Sequence, residues 1–160
     1  MKSTAIFPGS FDPVTLGHID ILKRSCTLFS EIILLIGDNI AKRTMFPLDE
    51  RMEMCREAVA MIETSCKISV ESFHGLTTDF ARKCGAGAII RGVRTFADFE
   101  YEMQIAAVNR RLCPEVETIF LACGDEFACV SSSAVRELAK FGADVSGYVP
   151  ACVIERVKKF

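Results

Sequence analysis

The run Glu31-Ile32-Ile33-Leu34-Leu35-Ile36-Gly37 is apolar at every interior position and bounded by polar residues. Such a strand must be hidden on both faces, the condition of a parallel strand with helices above and below it. Thr4 to Phe7 is a shorter apolar strand before it, and between the two Ile19, Leu22, Cys26 and Phe29 recur at helical spacing. That is a strand, a helix and a parallel strand.

The alternation continues down the chain. Lys67 to Phe73, Ala88 to Ile90 and Thr118 to Cys123 predict three more strands. Behind Pro47, which suits a first helical position, Leu48, Met52, Cys55, Val59 and Ile62 form an apolar helical stripe, with Asp49 and Glu50 suiting the positive first turn. Thr77 or Thr78 caps a short helix ending at Gly85. Thr95 caps a longer one running to about Leu112, with Phe96, Phe99, Met103 and Ala106 expected inward and Cys113-Pro114 ending it. One of Ser131 to Ser133 caps a helix ending near Gly142, and a short terminal helix is expected to bury Val153 and Val157, with Phe160 a further candidate. The pattern predicts one α/β domain over residues 1–160, doubly wound and Rossmann-like, on a five-stranded parallel sheet.

With 160 residues, half of them hydrophobic, the chain can bury a core without staples. Its formal net charge of -2 argues against a basic nucleic-acid binder. No run approaches the roughly 18 apolar residues of a membrane span, and Met1-Lys2-Ser3 leads into a strand without a signal-peptide pattern. A cytoplasmic protein with neither nucleic acid nor membrane as partner is expected. The eight cysteines include no C-x-x-C pair and none with a histidine at ligand spacing. No metal site is therefore predicted, and the thiols read as free, mostly buried small hydrophobes.

Ligands of a doubly wound sheet bind beyond the carboxyl ends of its strands. The loops there follow Phe7, Gly37, Phe73, Ile90 and Cys123, and they carry Ser10 and His18, Lys42, Thr77, Arg91 and Arg94, and Ser131 to Ser133. In a chain of net negative charge, this gathering of cationic and hydroxylic groups points to an anionic ligand with more than one phosphate. The helix start behind the Pro8–Pro13 turn aims free N–H groups at the same spot. His18 stands there. Its charge beside a phosphate is left open, since a helix N-terminus lowers a histidine pKa and a phosphate raises it. His74, beside Gly75, reads as solvent-facing or ligand-adjacent. Neither the Walker pattern nor a G-x-G-x-x-G follows the first strand, so the common phosphate fingerprints are absent.

Thr15-Leu16-Gly17-His18 resembles the T-x-G-H form of the nucleotidyltransferase signature. Together with Pro8 to Pro13, Ile90 to Arg94, Asp98 to Gln104, Asn109-Arg110 and Val130 to Ser133, in order over nearly the whole length, it makes the chain resemble the bacterial phosphopantetheine adenylyltransferases. The resemblance implies transfer of the adenylyl group of ATP to 4'-phosphopantetheine, giving dephospho-coenzyme A and pyrophosphate. It implies catalytic roles for His18, Lys42 and Arg91, with His18 at the α-phosphate and Lys42 and Arg91 on the acceptor phosphate. Ser10 would touch both substrates. Phe11, Gly92, Val93, Arg94, Glu102, Phe127, Ala128, Cys129 and Val130 would join Ser10 and His18 in binding ATP, with Ser131, Ser132 and Ser133 on its β- and γ-phosphates. Thr77 and Asn109 map to the pantetheine arm. Magnesium arriving with ATP, a homohexamer and feedback binding of coenzyme A are implied as well. The alternatives are an adenylyl- or cytidylyltransferase of the same superfamily with another acceptor, or a non-catalytic nucleotide-binding domain.

Overall fold

A computed structural model of the chain describes residues 4–38 and 43–159. Its five strands are β1 (Thr4–Gly9), β2 (Glu31–Gly37), β3 (Lys67–Phe73), β4 (Ala88–Val93) and β5 (Glu117–Ala122). All pair in parallel, in the order β3-β2-β1-β4-β5. The helices are α1 (Leu16–Ser25), α2 (Leu48–Ala60), α3 (Thr77–Cys84), α4 (Phe96–Leu112), α5 (Ser132–Lys140) and α6 (Ala151–Val157), with a 3-10 turn at Asp125–Phe127.

The two-sided burial expected of β2 holds. Ile32, Leu34 and Ile36 join Ala5, Phe7, Ala88 and Ile90 in one core with residues of α1, α2, α5 and α6, while Ile33 and Leu35 join Ile6 and Ile89 in a second core with Phe80 and Ala81 of α3. This alternation is the period-two geometry of a strand. Fully burying one such aliphatic side chain stabilises the fold by about 1.5–3 kcal/mol.

Several local expectations shift. On α2 the most deeply buried residues are Arg51, Met54, Cys55 and Ala58, and Leu48, Met52, Val59 and Ile62 only flank them. Pro47 is the N-cap of α2 rather than its first turn, and α3 is capped by Leu76, not by a threonine hydroxyl. On α4 the inward reading of the apolar residues is corrected. Phe96 is 83% exposed, Phe99 37% and Met103 48%, and the buried residue of this helix is Glu102. Helical period identifies an apolar face but not what covers it. Of the thiols, Cys26, Cys55, Cys66 and Cys113 are buried, Cys129 is exposed, and none of the eight forms a disulfide. Among the described residues no helix is long and apolar enough to cross a membrane. Phe160 lies outside the described residues.

Candidate active site

The strand order reverses between β1 and β4, the position at which an open α/β sheet forms its crevice. β1 stays in register with β2 as far as Gly9 and Ile36, but pairs with β4 only at Ala5–Ala88 and Ile6–Ile89. Past Ile6 the two strands part. A side chain bridges the gap: Arg91 Nη1 donates to the Pro8 carbonyl at 2.8 Å.

Two chambers open at this fork. The smaller, about 230 Å³, reaches Gly37, Thr44, Arg51, Phe73 and Thr77. The larger, about 370 Å³, reaches His18, Arg94, Ser131 to Ser133 and Arg136. Pro8, Gly9, Ser10 and Arg91 line both. The turn after β1 and one arginine of β4 are therefore their common wall.

That turn is tightly packed. A Cβ on Gly9 would stand 2.9 Å from Cζ of Phe11, so the close approach of ring and backbone requires glycine. Phe11 has φ of +46°, which costs a non-glycine residue about 1–2 kcal/mol. Complete burial of its ring, edge-on to Phe7 at 5.7 Å and to His18 at 4.9 Å, holds it there. Next in the chain, the buried Asp12 carboxylate accepts the N–H groups of Met45 (2.8 Å) and Phe46 (2.9 Å), tying the turn to the segment before α2.

His18 occupies the third position of α1 in a capping box. Its Nδ1 accepts the Thr15 backbone N–H at 3.0 Å, and its own N–H reaches the Thr15 hydroxyl at 3.4 Å. With Nδ1 serving as acceptor, a neutral ring carries its proton on Nε2 and remains a donor. Burial, reinforced by the guanidiniums of Arg94 and Arg91, lowers its pKa to about 4.

Arg91 is held on two sides. Its Nε and Nη2 donate to Oε2 and Oε1 of Glu102 at 2.7 and 2.5 Å, in addition to the Pro8 contact. Arg94 pairs with Asp98, Nε to Oδ2 at 3.0 Å, and lies 3.4 Å from the Val130 carbonyl. At the head of α5, Ser131 Oγ accepts the Ala134 N–H, Ser132 Oγ donates to the Pro13 carbonyl, and Ser133 Oγ accepts from Arg136. Arg136 also donates to the Asp12 carbonyl at 2.7 Å. Ser131 and Ser133 accept in these bonds and so keep their hydroxyl protons, which together with Arg136 and the free backbone N–H groups of the α5 first turn are what this corner offers an anion.

Of the residues singled out from sequence, Ser10, His18, Arg91, Gly92, Arg94, Glu102, Val130 and Ser131 to Ser133 come together in the larger chamber, and Ser10, Thr77 and Arg91 in the smaller. Phe11 is packed beneath the turn, Val93 closes β4, Phe127 to Cys129 occupy the 3-10 turn and the residues just after it, and Asn109 is in the last turn of α4; none of these is on either lining. Lys42 lies outside the described residues. His74 is exposed, with its Nδ1 2.9 Å from the Asp38 carbonyl. Sequence reasoning missed Arg51 and Arg136. Arg51 had left a signal, a charge three residues after Leu48 and four before Cys55 within an apolar stripe.

A parallel sheet with two chambers meeting at its switch point, entered by a helix N-terminus with T-x-G-H, defines a nucleotidyltransferase-type site. Residues 6–138 match the family described as Cytidylyltransferase-like. The fold is shared with the Plasmodium falciparum nicotinic acid mononucleotide adenylyltransferase, at a TM-score of 0.64 and 18% identity over 99% of this chain and 96% of that one. It is shared too with a bifunctional NMN adenylyltransferase/ADP ribose pyrophosphatase from Francisella tularensis, at 0.74 and 18% over 100% of this chain and 50% of that one. Sequence is more discriminating. The phosphopantetheine adenylyltransferase of Heliobacterium modesticaldum is 50% identical over 97% of this chain and 90% of its own, and that of Methylococcus capsulatus 48% over 96% and 93%. The chain belongs to the phosphopantetheine adenylyltransferase family.

Proposed function

We propose that this enzyme joins the adenylyl group of ATP to 4'-phosphopantetheine, releasing pyrophosphate and forming dephospho-coenzyme A. The observation that carries this reading is the pair of chambers with Ser10 and Arg91 as their common wall. ATP would take the larger chamber and the acceptor the smaller, so that their phosphates meet at the wall. An acceptor phosphate oxygen then forms a bond to the α-phosphorus as the bond from that phosphorus to the bridging oxygen of pyrophosphate breaks. The attacking group is already an anion, so no strong base is needed; alignment and charge stabilisation suffice.

His18 would donate from Nε2 to the α-phosphate. Arg91 uses three of its five N–H groups on Glu102 and Pro8, which leaves two for phosphate oxygens. Lys42 would add a point charge to the acceptor phosphate. Gly92 and Arg94 belong to the ATP side, and Arg136 with the first turn of α5 would hold the far phosphates.

Magnesium would accompany the triphosphate and neutralise part of its charge. The carboxylates lining the larger chamber, Asp98 and Glu102, are engaged by Arg94 and Arg91. The residues thus fit a metal carried by phosphate oxygens rather than one held by a carboxylate cage. A homohexamer is our reading of the assembly, supported by the exposed apolar residues of α4. Coenzyme A, with a pantetheine arm joined to an adenine nucleotide, would span both chambers as a feedback ligand. A reducing cytoplasm suits eight cysteines without a disulfide.

The test is to mix the protein with magnesium-ATP and 4'-phosphopantetheine and follow pyrophosphate and dephospho-coenzyme A. Formation of both is expected. Adenylylation of nicotinic acid mononucleotide with neither product formed would overturn the substrate assignment.

A further inference from the structure

We propose that Arg51 is a substrate-binding residue of the smaller chamber, taking the phosphate end of the acceptor alongside Arg91; this rests on the acceptor reading above. Arg51 is 3% exposed and lines that chamber from α2. Its Nη1 donates to the Ser10 carbonyl at 2.8 Å and the Gly37 carbonyl at 3.3 Å, so it is fixed to the turn after β1 and the end of β2. Its Nε is buried without a hydrogen-bond partner.

The charge balance of the chamber gives this guanidinium its meaning. Arg91, Arg94 and Arg136 each face a carboxylate. Arg51 has none among the described residues. A buried cation with only carbonyl partners is unfavourable, and an arginine cannot escape by losing its proton. The charge of Arg91, on the same chamber, is balanced by Glu102. The remaining polar side chains of the lining are the hydroxyls of Ser10, Thr44 and Thr77, and among the described residues the lining contains neither Asp nor Glu. Among the described residues Arg51 is therefore the uncompensated positive charge of this chamber, and a phosphate monoester would balance it. Its planar fork also suits a phosphate, because Nη1 anchors to Ser10 and Gly37 while Nη2 stays available to a phosphate oxygen.

A purely structural clamp on the two loops would weaken every ligand alike, whereas a phosphate contact changes the preference for phosphate. The experiment measures calorimetric binding of 4'-phosphopantetheine and of pantetheine, the same arm ending in a hydroxyl, to wild type, Arg51→Met and Arg51→Lys. Wild type should prefer the phosphorylated compound. Arg51→Met should reduce that preference on the order of 10- to 100-fold, and Arg51→Lys should restore part of it. An unchanged preference in Arg51→Met overturns the assignment of Arg51 and leaves the enzyme reading intact. Wild type binding neither compound overturns both. Should Arg51→Met fail to fold, Arg51→Lys decides: a raised KM for the acceptor with an unchanged KM for ATP supports the assignment, and two unchanged KM values overturn it.

Discussion

Glu102 grips Arg91 from the side, Oε2 against Nε at 2.7 Å and Oε1 against Nη2 at 2.5 Å, and so fixes the guanidinium at the wall between the two chambers. The pair is only partly exposed, at 25% for the arginine side chain and 11% for the glutamate. If Arg91 binds phosphate, Glu102 should act through it as a positioning residue. Glu102→Gln keeps the shape and loses the charge, and should lower kcat/KM by roughly tenfold. Glu102→Ala, which leaves Arg91 unheld, should lower it by roughly a hundredfold. Steady-state pyrophosphate release decides, and values equal to wild type for both variants would remove Glu102 from this role.

His18 should titrate far below an ordinary histidine. Its folded-state pKa is lowered from 6.5 to about 4, so the free enzyme carries a neutral ring at pH 7, and bound phosphates should raise the midpoint. Because the unfolded chain takes up this proton more readily, the contribution of His18 to stability is present above about pH 6.5 and is lost as the pH falls toward 4. Nuclear magnetic resonance of the imidazole with and without ATP checks the first statement. Tm against pH for wild type and His18→Gln checks the second: the gap should narrow on acidification. His18→Ala should in addition lower kcat by about a hundredfold or more with little change in ATP affinity.

Asp12 joins two parts of the site. Its buried carboxylate accepts the Met45 and Phe46 N–H groups and faces Arg136 at 3.7 Å. Asp12→Ala strands buried donors and should cost about 2 kcal/mol or more in stability. The segment before α2 would lose its anchor, and the KM for the acceptor should rise more than that for ATP. Denaturant unfolding together with the two KM values tests this.

What the sequence disclosed follows from which interactions are periodic. Glu31 to Gly37 and Lys67 to Phe73 are strands over the very residues their apolar pattern marks. The rule that ligands gather beyond strand carboxyl ends was enough to bring Ser10, His18, Arg91 and the Ser131–Ser133 run together from sequence. Pairing across the crevice follows no period. Arg91 meets Glu102 and the Pro8 carbonyl because β1 and β4 part after Ile6 and Ile89, a divergence that no local pattern records. Arg51 was hidden differently, since an apolar stripe with one charge in it reads as a solvated edge until the helix is docked. On α4, Phe96 and Met103 have the spacing of a buried stripe and are nonetheless exposed, because spacing aligns side chains on a helix face without recording what packs against them.

That face yields the last prediction. Phe96 and Met103 are exposed on it, at 83% and 48%. Phe96 and Met103, with Phe99 and Ala107, line a shallow apolar groove. A hexamer would cover this surface, and a carboxylate placed in it would have to be desolvated on assembly, at a cost of several kcal/mol per site. Phe96→Asp and Met103→Asp together should therefore give a smaller species by light scattering. Neither side chain is buried within the single chain, so its far-ultraviolet circular dichroism should stay unchanged. An unaltered mass would show that the contact between copies uses another surface. A reduced mass with intact secondary structure would also let activity be measured on the smaller species, and Arg91 and Glu102, contributed by one chain, should then keep their pairing and much of their turnover.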